Sequence, residues 1–308
     1  MSAGRLFLSS GDPLVDRRLD WARALLAEGN PADAAQLLDE AMARAPHYAP
    51  GWFLLGEARE AGDDASRALE AYRQALILDP GDTLGAGLRV ARLGGTAEPG
   101  MSEAYVRTLF DQYAERFDAA LARLSYRGPE LIDEALAAAC AALGRPYAFA
   151  RGLDLGCGTG LVALLLADHV GAMEGVDLSP NMIALAARRG LYERAVAGEM
   201  VAFLKERPGE DVDLIFAGDA FCYLGDLGPI LAETRRVLEP GGLSAFTVET
   251  HAGEGILLRD TLRFAHGEAY VRATLAGAGL VLVSCDAAST RTEKEKPVPG
   301  LVVVARRA

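Results

Sequence analysis

A glycine triplet set between two short apolar runs, in LDLGCGTGLVALLLADHVGAMEGVDLS at residues 153–179, constrains this chain more than any other feature. Leu153–Leu155 reads as a buried strand, and Gly156, Gly158 and Gly160 follow at alternate positions. Residues 159–169 suit a helix closed by Gly171, and MEGVDL at 173–178 a second strand that stops at Asp177. Pro180 stands where proline favours the first turn of the next helix. Further strands are read at DLIFAG (213–218) and, after the turn Pro240-Gly241-Gly242, at LSAFTVE (243–249). Strands alternating with helices predict a parallel, doubly wound sheet. The last two apolar runs, LVLVSCD (280–286) and GLVVVAR (300–306), leave no room for a crossover helix and predict an antiparallel hairpin at the sheet edge.

The loop narrows the ligand. A phosphate-binding GxxxxGK[ST] loop is excluded because no lysine follows Gly160. The dinucleotide fingerprint GxGxxG needs glycine where Leu161 stands. What remains is Asp154-x-Gly156-x-Gly158-x-Gly160, with Asp177 ending the second strand. Small residues let backbone approach a ligand closely. An acid at the place of Asp177 can accept both hydroxyl protons of a ribose.

This pattern resembles the class I S-adenosylmethionine-dependent methyltransferases, with a dinucleotide site as the alternative. The resemblance implies a Rossmann-like seven-stranded sheet with an antiparallel terminal hairpin. The implied cofactor is S-adenosylmethionine, leaving as S-adenosylhomocysteine. Asp154 would then hold the cofactor's methionine amino group, and Asp177 and Leu178 its ribose. Glu199 and Met200 stand where such enzymes clamp adenine, unless they are a helix-start acid and a core methionine. Asp219 would face the cofactor or the transferred methyl, unless it caps a helix. Tyr113 and Phe117, spaced four apart, are candidates for a lid over the cofactor, or simply for core. GDAFCY at 218–223 replaces the (N/D)PP(Y/F) of many nitrogen-directed enzymes of this fold, which lowers that reading. His266 shares a predicted helical face with Tyr270, and His251 follows the fifth strand. Both are candidate general bases, whereas His47 and His169 read as structural or exposed.

A second pattern lies upstream. Trp52-x-x-Leu55-Gly56, Ala68-x-x-x-Tyr72, Ala75 and Pro80 have the offsets of a tetratricopeptide repeat and resemble it, with Arg59 in an aromatic place. One repeat earlier, Ala34, Leu38, Ala41 and Pro46 form a weaker copy with Arg18 in the tryptophan place. Residues 83–93 read as a capping helix. Two repeats make a short array, so docking on a protein partner or a second subunit is expected. The domain reading is therefore an all-α repeat domain at 1–95, a linker at 96–102 and a methyltransferase domain at 103–308. Within the last, 103–145 is a helical cap and 150–308 the core. Residues 101–308 resemble a bacterial group of repeat-bearing predicted methyltransferases through FDQYAERFD (110–118), LSYRGP (124–129), GDAFCYLGDL (218–227) and RFAHGEAY (263–270).

Composition excludes other classes. The net charge of −12 argues against a nucleic-acid footprint. The four cysteines show neither a CxxC pair nor metal-ligand spacing, and read as free thiols. The apolar run at residues 6–8 is too short for a signal peptide, and none is long enough for a membrane helix, so a cytoplasmic protein is expected. The leading expectation is methyl transfer to an oxygen or nitrogen of a small molecule. The alternatives are a protein methyltransferase whose repeats recruit the polypeptide, and a non-catalytic cofactor sensor.

Overall fold

A computed structural model describes residues 9–94 and 101–308. The apolar run at 6–8 and most of the linker read at 96–102 lie outside the described residues. The chain divides into two compact units, Met1–Thr108 and Leu109–Ala308, and the division falls within a helix rather than at the expected linker.

The first unit is built from helical hairpins. Helices α1 (Pro13–Ala27), α2 (Pro31–Arg44), α3 (Ala49–Ala61) and α4 (Ala65–Leu78) follow one another through short turns. Asp12 and Asp64 start α1 and α4 by accepting backbone N–H groups with their side chains. Ala34, Leu38 and Ala41 of α2 are fully buried, as are Ala68, Tyr72 and Ala75 of α4, so both repeats present the expected inner face. Gly56 is required for close packing: a Cβ there would lie 2.5 Å from the Tyr72 ring. Arg59, in its aromatic place, instead pairs with Asp39 at 2.7 Å and donates to the Arg67 carbonyl at 3.1 Å. The expected cap is α5 (Ala86–Arg92), whose Ala86 and Val90 bury Phe53, Tyr72 and Ala75.

Helix α6 (Glu103–Tyr113) contains the unit boundary. Within the helical cap read over 103–145, a 3-10 turn at Ala114–Arg116 ends α6, and α7 (Phe117–Arg123) follows. After α8 (Gly128–Ala142) comes the sheet. In order it uses β1 (Phe149–Leu155), α9 (Leu161–Leu166), β2 (Val170–Asp177), α10 (Pro180–Arg188), β3 (Arg194–Ala197), α11 (Met200–Lys205) and β4 (Val212–Ala217). The second half runs α12 (Gly228–Val237), β5 (Leu238–Glu249), β6 (Ile256–Leu258), β7 (Phe264–His266), α13 (Glu268–Gly277), β8 (Leu280–Ala288), β9 (Thr292–Glu293), β10 (Lys296–Pro297) and β11 (Gly300–Arg307).

The main path is β3-β2-β1-β4-β5-β11-β8. Its first five strands are parallel, and β11 runs antiparallel to both β5 and β8, as the two final apolar runs predict. Strand β4 is apolar apart from Asp213, which accepts the Ala150 and Arg151 N–H groups, because both its faces are covered. Ile215 joins the core on one side of the sheet, and Leu214 and Phe216 the core on the other.

Three local expectations change. Gly171 lies inside β2 instead of closing the helix, because α9 stops at Leu166. Pro240-Gly241-Gly242 is a kink within β5, where the register with β4 slips between Val212 and Leu214. His266 ends β7, a strand paired with β5 and β6, and is not helical. No helix among the described residues is long and apolar enough to cross a membrane.

Candidate active site

Every acid and glycine singled out around the loop falls at the carboxyl ends of β1 to β4. Gly156, Gly158 and Gly160 all take positive φ, at 70°, 53° and 87°. Gly156 and Cys157 donate their N–H groups to the Val176 carbonyl at 2.8 and 3.0 Å, folding the loop onto the end of β2. A Cβ on Gly156 would come 2.5 Å from Ala220 Cβ and 3.8 Å from Met200 Cε. The loops after β1 and β4 and the start of α11 therefore meet at this glycine.

Asp154 is 1% exposed, and the Tyr192 hydroxyl donates to its Oδ2 at 2.7 Å. Gly175, beside Asp154 in register, makes room for that phenol: a Cβ there would sit 3.0 Å from the Tyr192 ring. Burial pushes the Asp154 carboxyl up to about 7. The Tyr192 hydrogen bond works against this, and the nearby Asp177 charge adds to it. Asp177 accepts Gly158 N–H on Oδ2 at 2.9 Å and Ser179 N–H on Oδ1 at 2.8 Å. Burial raises its carboxyl too, against the pull of those two amides. An ionised carboxylate has about four acceptor sites, so Asp177 keeps capacity for two ribose hydroxyls.

These residues fit S-adenosylmethionine. A buried acid that forms no ion pair among the described residues suits an ammonium group, and the glycine turn next to it admits an amino-acid arm without a side-chain clash. Leu178, half-buried, sits between Asp177 and Ser179. Glu199 accepts Val201 and Ala202 N–H at 2.9 and 2.7 Å and so caps α11 at the carboxyl end of β3. Met200 packs on the core while its tip borders Gly156.

The cap segment reaches the loop. Phe117 Cε1 lies 3.6 Å from where a Gly158 Cβ would be. Phe110 meets Phe117 and Tyr223 edge-on, with ring centres 6.0 and 5.2 Å apart. Tyr113, half-buried, ends α6. Two carboxylates fasten this segment, and neither is among the residues expected from the sequence. Asp111 accepts the Ser179 hydroxyl at 2.5 Å and Asn181 N–H at 3.3 Å. Asp118 accepts the Thr159 hydroxyl and the Arg189 guanidinium, both at 2.6 Å. A signal for them exists: the Phe-Asp pair of FDQYAERFD occurs at both ends of that motif.

After β4, Asp219 (φ 53°) is held in place rather than left open. Its carboxylate accepts the Thr247 hydroxyl at 2.9 Å, and the Thr290 hydroxyl and Arg291 Nη1 at 2.8 Å each. Arg291, 4% exposed, also bonds Glu249 and Glu293, and Arg263 joins the same two acids. This buried network links the ends of β4 and β5 to the β9–β10 hairpin.

The histidines stand apart from the expected base role. His266 is 0% exposed, and its Nε2 lies 3.0 Å from both the Leu224 and Gly225 carbonyls, so it is the N–H donor to that loop. Burial lowers its basicity, and its ring stacks on Tyr270 at 5.7 Å. His251 donates from Nε2 to the Gly255 carbonyl at 3.2 Å and accepts Gly253 N–H on Nδ1 at 3.1 Å, so its own loop uses both nitrogens. His169 bonds the Tyr147 carbonyl, and His47 is exposed, as read from the sequence.

Known proteins bear this out at the level of domains. Residues 153–246 match the methyltransferase domain family, and residues 19–83 a tetratricopeptide repeat family. Methyltransferase-like protein 27 of Homo sapiens is 35% identical over 149 residues, 46% of this chain and 57% of that protein. A malonyl-[acyl-carrier protein] O-methyltransferase of Serratia marcescens is 28% identical over 170 residues, 55% of this chain and 62% of that protein. The chain thus spans less than two thirds of the length of either relative. In fold it resembles the Burkholderia thailandensis 1,6-didemethyltoxoflavin-N1-methyltransferase, at 21% identity and a TM-score of 0.51, over 67% of this chain and 88% of that one. The matched domain encloses the loop, Asp154, Asp177 and Asp219, and the repeat match covers the helical hairpins. The chain carries a class I S-adenosylmethionine-dependent methyltransferase domain, with tetratricopeptide repeats ahead of it.

Proposed function

We propose that the chain transfers a methyl group from S-adenosylmethionine to an oxygen or nitrogen of a small molecule, with the repeat unit docking a second subunit or partner. The observation that carries this is Asp154, a buried acid with no cation among the described residues, beside a glycine turn and one strand from Asp177. When bound, the cofactor supplies a methyl group activated on a sulfonium. Asp154 holds its ammonium, the glycine turn accepts its amino-acid arm, and Asp177 with Leu178 borders the ribose. Glu199 and Met200 border the adenine, and Tyr113 and Phe117 cover the cleft.

Asp219 is a positioning residue in this reading. Through Thr247, Thr290 and Arg291 it sets the loop that carries Tyr223 toward the acceptor. An in-line nucleophile at contact distance needs positioning more than proton transfer. The reaction therefore runs without a histidine base, on an acceptor that is already ionised or weakly protonated. The oxygen acceptor in the name of the Serratia relative supports transfer to oxygen.

Calorimetric titration with S-adenosylmethionine tests the site. Asp177→Ala is expected to weaken binding by at least about tenfold, the cost of about 1.4 kcal/mol for lost charge-assisted hydrogen bonds. Unchanged affinity would remove the site assignment. Methyl-labelled cofactor incubated with cell extract tests the acceptor. Label in the small-molecule fraction supports the proposal, and label on protein makes the repeats a substrate-recruiting device instead.

A further inference from the structure

We infer that two copies of this chain pair through the outer face of α1 and α2, with Trp21 at the centre of the contact. The inference rests on the docking role proposed above for the repeat unit, and it names the occupant.

The face is apolar and open. Trp21 is 55% exposed and Leu14 is also exposed on the same stripe of α1. A cavity of about 320 Å³ beside the indole is lined by Trp21, Ala24, Leu25, Glu28 and Leu37. A tryptophan side chain occupies less volume than this, so the surface offers both a projecting indole and a recess to receive one. Repeat register shows what the surface is built for. Trp21 occupies in the first repeat the place that Leu55 has in the second. Leu55 is fully buried against α1 and α2, within the cluster that includes Leu19, Leu38 and Met42. The corresponding position in α1 has no such cover among the described residues.

The partner is chosen by what the array leaves available. At its other end, α5 already covers Phe53, Tyr72 and Ala75, so head-to-tail stacking of copies is blocked. The remaining self-complementary arrangement is face to face about a twofold axis, in which each indole enters the other copy's recess. Antiparallel α1 helices crossing between Ala22 and Arg23 set the exposed Arg17 of one copy opposite the exposed Glu28 of the other, and Trp21 opposite Ala24 of the recess, each twice by symmetry.

Sedimentation equilibrium on the full chain tests this. At micromolar concentration the mass is expected to be twice the 32.5 kDa of one chain. Trp21→Glu is expected to weaken the pairing at least about tenfold, as loss of a central aromatic anchor does. Arg17→Glu alone weakens it, and adding Glu28→Arg to the same chain restores it. A single-chain mass up to about 100 µM, weaker than any specific dimer of use here, overturns the inference. So does a dimer indifferent to Trp21→Glu, as cover by a preceding segment or another protein would give, or a charge swap that restores nothing. S-adenosylmethionine affinity measured on the same samples stays unchanged, so failure of the pairing and failure of the methyltransferase reading are separate results.

Discussion

Asp154 is the residue on which the cleft turns. Its carboxyl is raised to about 7 chiefly by burial, so near neutrality the empty cleft holds it partly protonated. Only the ionised form attracts an ammonium group. Cofactor affinity is therefore expected to fall roughly tenfold between pH 8 and pH 6, following the protonated fraction, and Asp154→Asn should flatten the profile. Titrations at both pH values in matched ionic strength check this. The sign for folding is opposite. A carboxyl with a folded value above its unfolded one favours the fold most in acid, and that contribution is lost as pH rises through 7. Asp154, Asp177 and the glycines were legible because a strand, a turn and an acid lie within one short segment. Tyr192 and Arg291 were not. Arg291 meets Asp219 across 72 residues of chain, and no local pattern encodes that distance. His266 was misread because FAHGEAY has helical spacing, whereas Gly267 starts the helix and the histidine belongs to the strand before it.

Among the elements, the strap formed by α6, its 3-10 turn and α7 is held on both sides of the turn. Asp111 ties it to the start of α10 after Asp177, and Asp118 ties it to the glycine loop. Both ties are carboxylates accepting a hydroxyl, and both must loosen for the cleft to open along this side. Asp118→Asn is expected to speed cofactor release on the order of fivefold, the effect of losing about 1 kcal/mol at a partly exposed pair. Stopped-flow displacement of bound S-adenosylhomocysteine measures it; an unchanged release rate would mean that the strap does not gate the cleft. Periodicity placed these helices but ran them together, because apolar spacing continues through Ala114 while the backbone tightens there. The two-residue strands β9 and β10 and the three-residue strands β6 and β7 fall below what alternation can reveal, yet they carry Glu293 and His266.

At the scale of the molecule, two units of different construction share one chain. A ligand confined to residues 109–308 stabilises only that unit. At one hundred times its dissociation constant it adds about 2.7 kcal/mol, or roughly 5–11 °C in midpoint for a domain of this size. Scanning calorimetry is expected to show one transition moving with S-adenosylmethionine and one standing still. Equal movement of both would mean that the units unfold together. The sheet order has a further outcome, which concerns time. Strand β11 lies between β5 and β8 although both precede it in the chain. While a ribosome is still adding Gly300–Arg307, β5 and β8 each wait with an unpaired edge. The helical hairpins, whose contacts are local, can close as they emerge. In a cell the repeats would therefore be closed while their own methyltransferase unit still lacks the strand that completes its sheet, so the two units mature in chain order, the helical one first.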